Sequence, residues 1–261
     1  MNQNLIKILD YNIRCANDGE NKMIADRAPR LQAVVEKYQP DVIGLQEASR
    51  PWIRQLEDRF WQTYCMRYIY RANTSKEACP ILWKRERFEL RDEGYFWLSD
   101  SPEAITKSFG TKHYRICGWV RLRDRQTGKS FIFCNTHMAG GWPTVPSSKL
   151  ILERLEQNKA FTEYGAFLTG DFNIPPKHQG YDVLNESGKL RDINDALGFN
   201  EAYTNNGYNE RPDDHPYNSI KDFIFFTPDY MKPLRYQVVN ENFFDGWVSD
   251  HRGLYAEVEL L

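Results

Sequence analysis

The chain's apolar runs stop on side chains suited to metal and proton chemistry. Asn12 closes "LIKILDYN", Glu47 closes "DVIGLQE", His137 closes "SFIFCNTH", and Asp171 with Asn173 closes "AFLTGDFN"; Asp250 and His251 stand at the start of the final run. Carboxylates and amides are the oxygen donors that hard divalent cations take, and a histidine or buried carboxylate moves protons. Any one of these residues alone reads as a turn former or a polar strand end, because Asp and Asn bond their own backbone. Their recurrence at five strand ends points instead to one site, since reactive groups are commonly carried on loops held by a rigid scaffold.

The elements that must position them follow from periodicity. Residues 5–13 alternate as a strand, and a polar loop runs from Arg14 to Asn21. The segment "DRAPRLQAVVEKYQP" places Leu31, Val34, Val35 and Tyr38 at helical spacing, with Asp26 as N-cap and Pro40 as stop. A short buried strand then ends on Glu47, and a helix follows near Pro51 to Phe60. "CPILWKRERFEL" and "EGYFWLS" read as two strands separated by charge. A hairpin turns at Gln126-Thr127-Gly128-Lys129. "SSKLILERLEQNKAFTEY" is the clearest helix, capped by Ser147 or Ser148, with Leu150, Ile151, Leu155 and Phe161 on one side. Residues 185–217 read as a short helix and a long surface loop. The runs "KDFIFFTP", "RYQVVNE" and "HRGLYAEVEL" supply three last strands. Many strands with few helices between them favour two packed sheets flanked by helices over one parallel doubly wound sheet.

Composition narrows the class. With 261 residues, 41% apolar and 14% aromatic, the chain is long enough for one large globular domain. A net charge of -2 leaves no basic footprint for tight, sequence-blind binding to duplex DNA. The five cysteines show no CxxC spacing, which argues against a disulfide framework or a zinc site. No signal peptide and no transmembrane segment is evident, so the cytoplasm is the default expectation; an exported chain with its signal removed would look the same. Trp83, Trp142, His113 and Tyr114 read as core or rim packing.

Taken in order from Asn12 to His251, the motifs "DYNIR", "LQE", "NTH", "GDFN" and "SDH" closely resemble those of the endonuclease/exonuclease/phosphatase superfamily, the DNase I-like fold. The resemblance implies an α/β (α+β) four-layer αββα sandwich, two packed mixed β-sheets flanked by helices, over residues 1–261. It also implies divalent-metal-dependent cleavage of a phosphate ester. Glu47 would be the main ligand of Mg²⁺ or Mn²⁺, Asn12 a second ligand, direct or through water, and Asp250 would lie close to the same ion. Such a cation relieves the negative charge that builds on phosphate oxygens during attack.

By the same resemblance, Asp171 orients or deprotonates the attacking water, Asn173 holds a phosphate oxygen, and His251 acts as base or steadies the phosphate. The sequence does not choose between Asp171 and His251 as proton acceptor. Asp222 of "KDFIFF" would fix the His251 tautomer, and His137 would bind phosphate or protonate the leaving oxygen. Arg115 of "YRICGWVRL" occupies a place where many relatives carry a phosphate-facing arginine.

No Cys-Asp-Arg triplet of the inositol 5-phosphatase kind is present, and the chain has "GDFN" where abasic-site endonucleases tend toward "GDLN". "GDFNIPP", "FWLSDSP" and "RICGWVRL" look most like bacterial hydrolases resembling the deadenylase catalytic domain. The expected function is a phosphoesterase acting on a small or single-stranded phosphate ester, mono- or diester. A nuclease on single-stranded RNA or DNA is the alternative and would need a basic, aromatic-lined groove. A non-catalytic metal- or phosphate-binding module on the same fold is disfavoured, because no member of the residue set is missing. Residues 141–146 and 205–217, beside the NTH and KDF motifs, are expected to set substrate choice; exchanging them should change preference but spare generic ester hydrolysis.

Overall fold

The computed structural model describes residues 3–74, 76–199, 203–212, 214–216 and 218–261. β1 (Leu5–Asn12) is followed by α1 (Ile24–Tyr38), β2 (Val42–Gln46), β3 (Ala48–Ser49) and α2 (Arg50–Phe60). Then come β4 (Tyr64–Arg67), β5 (Glu77–Ala78), β6 (Ile81–Lys84), β7 (Phe88–Trp97), β8 (Ile116–Asp124) and β9 (Ser130–His137). α3 (Thr144–Gln157) and a π-helical turn (Ala160–Tyr164) lead to β10 (Ala166–Asp171), α4 (Gln179–Asn185), β11 (Arg191–Asp192) and α5 (Ile193–Ala196). β12 (Asp222–Phe226), β13 (Met231–Val239) and β14 (Gly253–Leu260) close the chain.

Twelve strands form two mixed six-stranded sheets, ordered β13-β14-β1-β2-β6-β4 and β11-β12-β10-β9-β8-β7, and β3 pairs with β5 in a small third one. Three apolar clusters separate four layers. One lies between α1 with α2 and the first sheet, one between the sheets, and one between the second sheet and α3 with α4. This is the expected αββα sandwich. The alternation of β1 shows why: Leu9 and Tyr11 face the helices while Ile6 and Ile8 face the other sheet.

Three local expectations need correction. Asp26 is not the N-cap of α1; the helix starts after Met23, and Asp26 accepts from the Met23 amide (3.1 Å) from inside the first turn. Ser147 and Ser148 lie within α3, which starts at Thr144. Their hydroxyls donate to the Pro143 and Gly180 carbonyls (2.8 Å each) rather than cap the helix. The run "CPILWKRERFEL" divides at residues 85–87, sending β6 to one sheet and β7 to the other. The break is held by Arg87, whose guanidinium bonds Asp41 and Asp124 (2.8 Å each) and so ties the two sheets together. In the loop 205–217, Asp213 and Tyr217 lie outside the described residues.

The loop after β1 is built on a buried cation. Arg27, fully buried, donates to the carbonyls of Ile13, Arg14, Ala16, Lys22 and Val248 and stacks over Trp52. Removing it takes the donor from the Ile13, Ala16 and Val248 carbonyls, at about 1–3 kcal/mol for each left buried and unbonded, while the Arg14 carbonyl keeps its bond from Trp52 Nε1 (2.8 Å). Arg27→Ala is therefore expected to lower unfolding free energy by at least ~3 kcal/mol in urea titration; a loss below ~1 kcal/mol would show that the loop does not depend on it.

A second buried charge gives a pH signature far from the site. Burial pushes the Asp192 carboxyl from 3.8 to about 7, only partly offset by the Asn194 amide and the Tyr181 hydroxyl. A carboxyl with a higher pKa folded than unfolded keeps its proton longer in the native state, so stability falls as pH rises between those two values. Asp192→Asn should reduce the decline of Tm between pH 4 and 7, and an unchanged slope would exclude Asp192 as its source.

Candidate active site

The parallel pairs β1–β2 and β9–β10 bring their C-terminal ends to one edge of the sandwich. Along the inward faces, apolar side chains give way to polar ones toward that edge: Ile6 and Ile8 to Asp10 and Asn12, Phe133 to Asn135 and His137, Phe167 to Thr169 and Asp171. Gln46 spans the seam, donating to Asp10 and Asn135 (2.7 Å each). Register completes the assembly, placing Asp171 beside His137 on one side and opposite Asp222 on the other. Gly170 permits the close approach, because a Cβ there would lie 2.1 Å from the Thr136 carbonyl oxygen.

Asp171, 1% exposed, is the hub. Its Oδ2 accepts from Asn12 Nδ2 (2.9 Å) and lies 3.6 Å from His137 Nε2 and 3.8 Å from His251 Nε2. Its Oδ1 accepts from the Asn173 amide (2.8 Å), a short-range bond made by holding Asn173 in the left-handed region at φ 54°. Burial and the neighbouring Asp222 charge raise the Asp171 carboxyl, while His251 and the hydrogen bonds oppose the rise. His251 Nδ1 bonds Asp222 Oδ2 (2.9 Å), and Thr204 Oγ1 accepts from the Asp222 amide (3.1 Å). Burial would lower the His251 imidazole, but the Asp222 and Asp171 charges outweigh it and raise it.

His137 behaves in the opposite sense. Burial first, then the charges of Arg115 and Arg71, push its imidazole well below the ordinary value. Asn173 Nδ2 lies 3.0 Å from His137 Nε2 and donates to the Met138 carbonyl (3.1 Å). A neutral His137 fits a hydrogen-bonding role toward phosphate better than that of a cationic acid. Arg115 lies at the same wall, its Nε and Nη1 buried and, among the described residues, without a hydrogen-bond partner.

Two clusters of ligand-type groups occur among the described residues: Asp171 with Asp222 and His251, and Glu47 with Cys15 and Glu77. Either could hold a metal ion. The first is already satisfied internally by the His251–Asp222 bond and by Asn12 and Asn173. Glu47, at φ 59°, accepts from the Cys15 amide (3.0 Å) and Asn12 Nδ2 (3.2 Å). Burial would raise its carboxyl, yet the Cys15 and Asn12 hydrogen bonds and the His251 charge hold it below the usual carboxylate value. An ionised carboxylate beside further oxygen donors suits a hard cation. Burial pushes the Cys15 thiol up to about 12, leaving a neutral group with little to offer such an ion.

The structure thus brings together Asn12, Glu47, His137, Asp171, Asn173, Asp222 and His251. The Asp250 carboxylate accepts from Ser249 Oγ (3.1 Å) and pairs with Arg14 (3.5 Å). Cys15, Arg71 and Glu77 escaped the sequence reading, because all three sit in loops or a two-residue strand without periodicity. The segment "GWPTVP" is half helix, since α3 starts at Thr144; Trp142 before it is 63% exposed. Trp83 is core.

Residues 11–251 match the Endonuclease/Exonuclease/phosphatase family. An endonuclease/exonuclease/phosphatase family protein from Bacteroides thetaiotaomicron is 26% identical with a TM-score of 0.86, each chain covered over 98%. A mannosyl-6-phosphatase from the same organism is 28% identical with a TM-score of 0.83, covering 98% of this chain and 99% of that one. The probable RNA exonuclease NGL3 of Saccharomyces cerevisiae is 21% identical over 238 residues, 80% of this chain; the chain spans only 46% of the yeast protein's length. Among the described residues, no helix is long and apolar enough to cross a membrane.

Proposed function

Since the chain belongs to the Endonuclease/Exonuclease/phosphatase family, whose members are hydrolases acting on phosphate esters, we propose that it hydrolyses a phosphate ester with Mg²⁺ or Mn²⁺ held at Glu47. The observation that carries this reading is the convergence of Asn12, Asn173, His137 and the Asp222-anchored His251 on the one buried carboxylate of Asp171.

Asp171, aimed by the Asn12 and Asn173 hydrogen bonds, takes the proton of the attacking water. Asp222 fixes the His251 ring so that Nε2 faces Asp171 and the phosphoryl group. Asn173 and His137 hold non-bridging oxygens, and Arg115 supplies a guanidinium for the charge that builds there. Glu47, with Asn12 beside it, would hold the cation, which would supply Lewis-acid stabilisation of that charge.

The 28% identity to a mannosyl-6-phosphatase favours a small sugar phosphate. Single-stranded nucleic acid is the second reading, favoured by the likeness to a probable RNA exonuclease. The test is a panel of hexose 6-phosphates, phosphodiesters and single-stranded RNA and DNA, each with Mg²⁺, with Mn²⁺ and with chelator. Metal-dependent turnover of a phosphomonoester is expected. No turnover of any ester by folded protein that binds the metal would overturn the enzymatic reading in favour of a binding module.

A further inference from the structure

A second guanidinium, that of Arg71, lies near enough to Arg115 for the two charges to act on each other. Arg71, 9% exposed, has its carbonyl held by Trp97 Nε1 (2.8 Å), and the Arg115 carbonyl is held by the next residue's amide, that of Leu98 (2.8 Å). The end of β7 therefore fastens both arginines. Arg71 Nη2 pairs with Glu77 Oε1 (2.5 Å). Glu77 in turn is pinned next to Glu47 by the β3–β5 ladder, in which Ser49 pairs with Glu77; ligand atoms of Glu47, Glu77 and Cys15 lie within 4.8 Å of one another.

This geometry sets a charge imbalance at the wall of the site. Glu77 answers Arg71, but nothing among the described residues accepts from the buried Nε and Nη1 of Arg115. Leaving charged donors buried and unbonded is costly. The two cations also act on each other, the Arg71 charge adding to burial in depressing Arg115, and both add to the burial that lowers His137. An anion that accepts from Arg115 and faces Arg71 relieves both. A phosphodiester carries one negative charge with two of its oxygens esterified. A terminal phosphomonoester carries close to two charges above its second pKa of about 6 and offers three acceptor oxygens. Two guanidinia at one wall match the second chemistry.

We propose that Arg71 and Arg115 jointly read the dianionic end of a terminal phosphomonoester, and that Arg71 is the residue that separates mono- from diesters. The inference rests on the phosphoesterase reading above, but its test reads binding apart from turnover. Calorimetric titration in Mg²⁺ would compare inorganic phosphate with dimethyl phosphate on wild type, Arg71→Gln and Arg71→Lys, each checked for an unchanged melting temperature.

Wild type should bind phosphate at least ~10-fold tighter than dimethyl phosphate. Arg71→Gln should weaken phosphate by ~10- to 100-fold while moving dimethyl phosphate by less than ~3-fold, and Arg71→Lys should recover part of the loss. Equal weakening of both ligands, or no weakening of phosphate in either variant, would overturn the proposal; should Arg71→Gln not fold, Arg71→Lys alone carries the same comparison. If phosphate were discriminated as expected while no ester was hydrolysed, the catalytic reading would fail and the binding inference would stand.

Discussion

Asp171→Asn is expected to lower kcat by roughly 10⁴-fold with little change in KM. The replacement keeps size and keeps an oxygen for the Asn173 amide (2.8 Å), so the loop after β10 stays in place. What it removes is the proton acceptor. It also sets an amide NH₂ against Asn12 Nδ2, 2.9 Å from the present Oδ2 and itself a donor. Steady-state kinetics on the best panel substrate, beside a thermal melt to show the fold intact, measure the effect. A loss under ~10-fold would remove Asp171 from the role of base.

Asp222→Asn is expected to cost about 10³- to 10⁴-fold in kcat, for a different reason. Asp222 touches His251 Nδ1 at 2.9 Å and presents only acceptors to it, so the ring keeps its Nδ1 proton and turns Nε2 toward Asp171. An asparagine in that place removes a charge that raises the imidazole and can set an N–H against Nδ1, so the ring loses both the hold on its proton and its orientation. Because Asp222 would act only through His251, the two changes should not add. Asp222→Asn combined with His251→Ala should be no slower than His251→Ala alone. Multiplicative losses would show that Asp222 touches the reaction by another route.

Much of the site could be read from the order of polar residues at strand ends. Asn12, His137 and Asp171 are the last residues of β1, β9 and β10, and Asp222 is the first of β12, so alternation and strand direction already place them on one edge. Glu47 was legible for a similar reason, as the tip beyond β2. What escaped depends on long-range pairing that leaves no period. Glu77 comes to Glu47 through the two-residue β3–β5 ladder, and Arg71 through its bonds to Glu77 and the side chain of Trp97.

The same limit explains the misplaced details. Ser147 and Ser148 look like caps because they precede an apolar helical pattern, but Pro143 and Thr144 start the helix one turn earlier. Polar side chains on loops are directed by their partners, and partners on other segments are invisible in a single run of residues.

The measurement that tests the account most directly is hydrolysis of the best panel substrate in ¹⁸O-labelled water, with Mg²⁺ and again with chelator. Attack of an Asp171-activated water on phosphorus predicts one labelled oxygen in the phosphorus-containing product, with the reaction abolished by chelator. Label in the alcohol product, or cleavage undiminished by chelator, would contradict it.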